Sequence, residues 1–263
     1  MSRGELIGIG RTAEVYAWGK DKLVKLYFEN FPTEAIEREA DISRAVWEQG
    51  IPSPEVFGIV KVGNRKGLIF EKIPGQSMLS HIEARPWLVM SFGREMARLH
   101  CKIHGSSLEE LPPQKARITQ AIGEAADLLG AQTEKILDHL ETLNGQQAVC
   151  HGDFHPDNIL IRGSNAIAID WTNAYSGHPA SDVARTWIMI NSPYLPEGSS
   201  TLLGLMSRPL KRLLSRAYLR EYVRLAGTAQ KVIQQWLIPV AAARLGEKLP
   251  GEKEWLLGII QRH

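Results

Sequence analysis

One stretch constrains this chain more than any other: His151-Gly152-Asp153-Phe154-His155-Pro156-Asp157-Asn158, followed twelve residues later by Asp170 at the end of the apolar run Ala166-Ile167-Ala168-Ile169. A loop rich in glycine, proline and acidic residues runs into an apolar strand, which turns and returns as a second strand. Asp153 then sits on the loop, Asn158 just before the first strand and Asp170 at the end of its partner. This spacing predicts that all three side chains gather at one edge of a β-hairpin. The residue types suit phosphoryl transfer: Asp153 as the base or orienting group for an attacking hydroxyl, and Asn158 and Asp170 as hard oxygen donors for Mg2+.

Such a transfer also needs a cover for the nucleotide phosphates and a cation on them. Gly8-Ile9-Gly10-Arg11-Thr12-Ala13-Glu14-Val15 is a glycine turn between two strands, where backbone N–H groups of Gly8 and Gly10 can approach phosphate oxygens. Lys25 lies inside the apolar strand Leu23-Val24-Lys25-Leu26-Tyr27, and a lysine so placed needs a partner. On a helical projection of residues 34–48, Glu39 falls closest among the carboxylates to the apolar face. It is the expected partner of Lys25, holding the ammonium toward phosphate.

The chain falls into two expected lobes that meet near Pro74-Gly75. Residues 1–73 read β-β-β-α-β-β, with strands at Glu5–Ile9, Glu14–Trp18, Leu23–Tyr27, Val56–Val62 and Gly67–Glu71. Their helix is expected to be capped by Thr33, to carry Ile36, Ala40, Ser43 and Trp47 at helical spacing, and to stop at Gly50. Residues 74–263 are mostly helical in pattern. Helices are expected around Leu88–Ile103, 114–129, 132–143, 179–190, 208–225, 229–244 and 252–261, with the strand Ala148–His151 and the hairpin 159–171 between them.

Gly8, Gly10, Lys25, Glu39, HGDFHPDN and Ile169-Asp170-Trp171, in unbroken order over roughly residues 5–190, resemble the aminoglycoside phosphotransferase and choline-kinase-like superfamily of small-molecule kinases. The resemblance implies an α+β, two-lobed, protein-kinase-like fold. Its N-lobe (1–73) would be a nucleotide-binding sheet with one main helix, and its larger helical C-lobe (74–263) would carry the catalytic loop and acceptor site. It further implies ATP or GTP as co-substrate, Mg2+ on Asn158 and Asp170, Asp153 as the catalytic aspartate, and a Lys25–Glu39 phosphate-binding pair. The backbone from Glu71 to Ile73 corresponds to the adenine-binding hinge, and Asp182 to an anchor of the catalytic-loop backbone. Two positions depart from the protein-kinase pattern, Ala13 at the third glycine and Trp171 after the metal aspartate; both suit the small-molecule branch.

A protein kinase needs an activation segment after the metal aspartate, whereas only eight residues separate Asp170 from Pro179, the expected start of the next helix. A metallohydrolase built on His151, Asp153, His155 and Asp157 leaves Lys25 and the glycine turn unexplained, and His81, His100, His104, His139, His178 and His263 look scattered. A catalytically silent relative, like the spore-coat proteins of this fold, would not need the intact set of Lys25, Asp153, Asn158 and Asp170. The net charge of +2 makes no case for nucleic-acid or membrane partners. Cys101 and Cys150 are too few for a disulfide framework, so a reducing cytoplasm is expected. The charge is uneven, however: residues 201–263 hold 11 Lys/Arg against 4 Glu. Arg208, Arg212, Arg216, Arg220 and Arg224 form a stripe on one helix opposite Leu214, Tyr218, Tyr222 and Leu225. Such a stripe is either a solvated face or, with part of it facing the cleft, a feature that favours a small hydroxyl acceptor that is neutral or anionic rather than a polycationic aminoglycoside.

Overall fold

The computed structural model describes residues 4–194 and 208–262; His263 lies outside them. The chain divides into two compact units, residues 1–76 with 160–172, and residues 77–159 with 173–263.

The first unit is built on an antiparallel sheet of β1 (Leu6–Ile9), β2 (Ala13–Ala17), β3 (Lys22–Tyr27), β4 (Val56–Val62) and β5 (Arg65–Glu71), in the order β1-β2-β3-β5-β4. Helix α1 (Thr33–Glu48) packs against the sheet. Strand alternation assigns the faces. Val24 and Leu26 join Tyr16 and Trp18 in one cluster, whereas Tyr27 joins Ala13, Leu68 and the helix residues Ile36 and Ala40 in the other. Lys25, two residues from Tyr27, therefore points to the helix side. The buried residues of α1 are Ile36, Glu39, Ala40, Ile42, Ser43 and Val46, so Trp47, 41% exposed, lies one residue off the stripe on which the sequence placed it. Thr33 is the first helical residue and not the cap. No side chain caps α1; the Thr33 hydroxyl accepts instead from Lys66 Nζ at 3.1 Å, tying the helix start to β5.

Strand β6 (Gln76–Ser77) lies where the chain passes into the second unit, with helices α2 (Met78–Ala84), α3 (Val89–His104), α4 (Gln114–Glu124), α5 (Ala126–Leu129) and α6 (Gln132–Thr142). The expected helix 114–129 is broken. The Ala125 N–H is shared between the Ala121 and Ile122 carbonyls, which tightens the turn and separates α4 from α5. Strand β7 (Ala148–Cys150) leads into the loop of residues 151–158. The chain then forms the hairpin of β8 (Ile159–Arg162) and β9 (Asn165–Ala168), whose residues from Leu160 on belong to the first unit. Back in the second unit, β10 (Tyr175–Gly177) pairs antiparallel with β7, followed by α7 (Pro179–Asn191), α8 (Arg208–Ala226), α9 (Gln230–Leu245) and α10 (Lys253–Arg262). Helices α3 and α8 approach closely at Gly93, where a Cβ would lie 2.8 Å from the Leu214 carbonyl oxygen. Among the described residues, no helix is long and apolar enough to cross a membrane.

Candidate active site

Within the first unit, the strand alternation that turns Lys25 toward α1 brings its ammonium 2.7 Å from Glu39 Oε1. Glu39 is 2% exposed, and its second oxygen accepts from the Tyr27 hydroxyl at 2.6 Å. Two donors satisfy a carboxylate that would otherwise be buried at high cost. The same ammonium lies 3.0 Å from Asp170 Oδ1, and Asp170 in turn accepts from the Thr172 hydroxyl at 2.6 Å. Burial works against a charged lysine, but Asp170 and Glu39 outweigh it and raise the Lys25 pKa above its usual value. Tyr27 is pushed far up by burial and by Glu39, so its hydroxyl stays a donor.

Asp170 has φ of +64°, an unusual conformation for a non-glycine residue and one that aspartate tolerates better than most. Its side chain remains 41% exposed. The glycine turn is closed by a bond from Gly10 N–H to the Ala13 carbonyl at 2.8 Å. Among the described residues, a Cβ on Gly8 would meet nothing within 4 Å beyond its chain neighbours. At the other end of the sheet, the Glu71 N–H is taken by the Glu55 carbonyl at 2.9 Å, and its side chain pairs with Arg162 at 3.1 Å. Ile73 is buried.

Within the second unit, the loop after β7 is held chiefly through its backbone. Asp182, fully buried on α7, accepts from the N–H groups of His151 at 2.6 Å and Gly152 at 3.0 Å. Gly152 has φ of +76°, and a Cβ there would lie 2.1 Å from the Asn173 carbonyl oxygen, so no larger residue fits. The Asn173 carbonyl accepts in turn from Arg117 at 3.1 Å. His151 Nδ1 accepts from the Asp153 N–H at 3.2 Å, and His155 Nδ1 from the Asp157 N–H at 3.3 Å, so both histidines shape the loop. The Asn158 amide nitrogen donates to the Asp153 carbonyl at 3.0 Å and to its carboxylate at 3.2 Å. With the NH2 end so used, Oδ1 is the atom that Asn158 has left to offer a cation. Burial raises the Asp153 pKa, but the bond and charge of His155, then the charges of Arg185 and His151, override it and hold the carboxyl well below its usual range.

His100 and His104 are not scattered, as their sequence positions suggested. One turn apart on α3, they direct Nε2 to the same oxygen of Asp182, at 3.0 and 3.3 Å. Their Nδ1 atoms meet the hydroxyls of Tyr218 and Tyr222, each at 2.7 Å. These ligand-type atoms lie within 4.8 Å of one another. They are already engaged in one hydrogen-bonded cluster that supports Asp182. Burial, followed by the neighbouring His104, lowers the His100 pKa to about 3, so its ring is neutral. Hydrogen bonds from His100 and then His104 overcome burial to keep Asp182 well below the usual carboxylate range.

The chain as a whole has known relatives. The profile of the phosphotransferase enzyme family (APH) matches residues 3–222. The chain belongs to that family. No match was found among curated protein sequences. Among solved structures, an aminoglycoside-3'-phosphotransferase of type VIII is similar at 22% identity, with 91% of each chain covered and a TM-score of 0.61. An amicoumacin kinase in complex with AMP-PNP, Ca2+ and Ami is 13% identical, covering 98% of this chain and 86% of its own, with a TM-score of 0.61. A choline kinase from Cryptosporidium parvum Iowa II is 15% identical over 98% and 86%, with a TM-score of 0.57. At such identities the likeness speaks for the fold. This phosphotransferase thus has the α+β, kinase-like fold expected from its motifs, with an antiparallel sheet in one unit and a mostly helical second unit.

Several neighbours of the phosphotransferase motifs were missed in the sequence. Tyr27 could have been found, since it shares a strand face with Lys25 at a spacing of two. Thr172, two residues past Asp170, carries no signal of its own. Arg185, three residues after Asp182 on α7, donates from Nε to the Gly152 carbonyl; spacing alone does not separate it from a surface arginine.

Proposed function

We propose that this phosphotransferase moves the γ-phosphate of ATP or GTP to a hydroxyl of a small molecule. The observation that carries the reading is the hydrogen-bonded loop around Asp153, which holds its carboxyl ionised and engages the amide nitrogen of the neighbouring Asn158. In this reading Asp153 orients the acceptor hydroxyl and takes its proton. Lys25, steadied by Glu39, neutralises nucleotide phosphate oxygens. The backbone of Gly8 and Gly10 covers those phosphates, and the backbone from Glu71 to Ile73 receives the base, with the Glu71 carbonyl and Ile73 N–H as its polar groups.

Asn158 Oδ1 and the Asp170 carboxylate are hard oxygen donors that fit Mg2+. The metal would draw charge off the phosphate oxygens during transfer. The functional lobes of the proposal are residues 1–73 for the nucleotide and 74–263 for catalysis and acceptor binding. The acceptor is proposed to be neutral or anionic: Arg208, Arg212, Arg216, Arg220 and Arg224 all lie exposed along α8. Leu225 is exposed too, so the apolar face opposite them is Leu214, Tyr218 and Tyr222.

The test is a transfer assay with Mg2+, ATP or GTP, and a panel of hydroxyl compounds of graded charge. Turnover of neutral or anionic acceptors is the expected result. Turnover confined to polycationic aminoglycosides would refute the acceptor class, and neither nucleotide binding nor hydrolysis would refute the enzyme.

A further inference from the structure

Arg185 begins a chain of charges that the reaction as described does not use. Its Nε donates to the carbonyl of Gly152, the residue just before Asp153, while Nη1 lies 2.7 Å from Glu247 Oε1. Glu247 Oε2 meets Arg244 Nη1 at 3.2 Å, and Arg244 makes a two-bond fork to Glu252 at 2.9 Å on each arm. Glu252 accepts from the Ser192 hydroxyl, whose backbone carbonyl accepts from Lys211 Nζ at 2.7 Å. Arg244 and Glu252 are 7% and 1% exposed, Arg185 17% and Glu247 29%. The chain of contacts therefore runs, within the second unit, from the catalytic loop to the C-terminal end of α7.

Burying Arg244 and Glu252 and half-burying Arg185 and Glu247 is a poor way to gain stability, because desolvation consumes most of the Coulombic return and apolar residues of like volume serve as well. What such a chain supplies is direction. A guanidinium is a rigid planar fork, and here one edge grips a loop carbonyl while the other is held by Glu247. The Gly152 peptide is then clamped from both sides, its N–H by Asp182 and its carbonyl by Arg185. The Asp153 side chain leaves the backbone one residue later, so its aim follows from that clamp.

We propose that Arg185, held by Glu247, is a positioning residue for phosphoryl transfer: it fixes the Gly152 carbonyl and thereby the direction of the Asp153 carboxylate. This rests on the reading of Asp153 as the acceptor-orienting group. A misaimed carboxylate slows the transfer step without weakening the nucleotide's own contacts, and displacements of about 1 Å cost on the order of a hundredfold in rate.

The experiment compares Arg185→Met, Glu247→Gln and the stability control Leu129→Ala with the unaltered enzyme, using Mg-ATP hydrolysis with water as acceptor and amide hydrogen exchange at residues 151–153. Arg185→Met is expected to lower kcat by about ten- to a hundredfold with KM for ATP unchanged, and to speed exchange at the loop amides. Glu247→Gln, which keeps shape and loses charge, gives a smaller change of the same kind. Leu129→Ala lowers the melting temperature and leaves both loop readouts as they were.

Unchanged kcat and loop exchange in Glu247→Gln and Arg185→Met overturn the proposal. Should Arg185→Met fail to fold, Glu247→Gln decides alone. Asp153→Asn, assayed alongside, separates the two readings: wild-type turnover in that variant rejects the role of Asp153, whereas its loss with normal Glu247→Gln and Arg185→Met rejects only the role of Arg185.

Discussion

The two halves of the chemistry are held in different ways. In the first unit the functional groups are fixed by side chain against side chain: Lys25 lies between Glu39 and Asp170, with the Tyr27 hydroxyl completing Glu39. In the second unit the side chains of Asp182 and Arg185 grip backbone N–H and carbonyl groups, and Asp153 is aimed through the main chain. In the proposed reading Lys25 is a cation for phosphate, which needs partners that can share it, and Asp170 and Glu39 are such partners. In the same reading Asp153 aims at one hydroxyl, which needs a rigid base, and clamped peptide groups provide it. Substitutions in the first region should therefore move nucleotide handling, and those in the second should move stability and turnover.

The largest effect is expected at Asp182. Its replacement by alanine strands two backbone N–H groups and two histidines, at a cost of about 3–5 kcal/mol read by chemical denaturation. A loss below about 1 kcal/mol would mean that the loop does not depend on this anchor. Next comes Lys25→Met, for which kcat/KM for the nucleotide should fall about a hundredfold, equivalent to about 2.7 kcal/mol. An unchanged value would remove the lysine from the phosphate site. Tyr27→Phe leaves Glu39 with Lys25 alone and should cost about 2 kcal/mol of stability, the worth of a bond to a buried charge. Equal stability of the two proteins would show that Lys25 suffices.

The smallest effect per step is the response to acid. His100 titrates at about 3 in the fold against 6.5 in the unfolded chain, so between those values the unfolded chain binds more protons. Stability should decline by up to about 1.4 kcal/mol per pH unit as the pH falls from about 6.5 toward 3. Asp182, whose folded pKa is depressed, adds to the loss once the pH drops below 3.8. Tyr218→Phe and His104→Gln should alter this acid limb; a flat profile over that window would show that His100 is charged in the fold.

Most of the fold was legible because its strands alternate and its helices repeat with the periods that backbone geometry imposes. β1 to β5, α1 and α3 lie within a few residues of their expected places. Lys25 and Glu39 could be paired because Lys25 was a charge in an otherwise apolar strand, where only a partner makes burial tolerable, and Glu39 was the carboxylate nearest the apolar face of its helix. The Asp182 cluster was not legible in the same way. His100, His104, Tyr218 and Tyr222 stand at ordinary helical spacings on α3 and α8, and their convergence depends on the approach of those helices at Gly93. Arg185, Glu247 and Arg244 carry no signal in the sequence for the same reason. Thr33 misled because its hydroxyl has a tertiary partner in Lys66, which local capping rules do not foresee.

The central claim is that Asp153 directs the acceptor while the nucleotide is held by other groups. Turnover and ATP affinity of Asp153→Asn, measured side by side with Mg2+ present, test it most directly. The expected result is a fall in turnover of about a thousandfold with ATP affinity within about threefold of the unaltered enzyme. Near-normal turnover in Asp153→Asn would contradict the account.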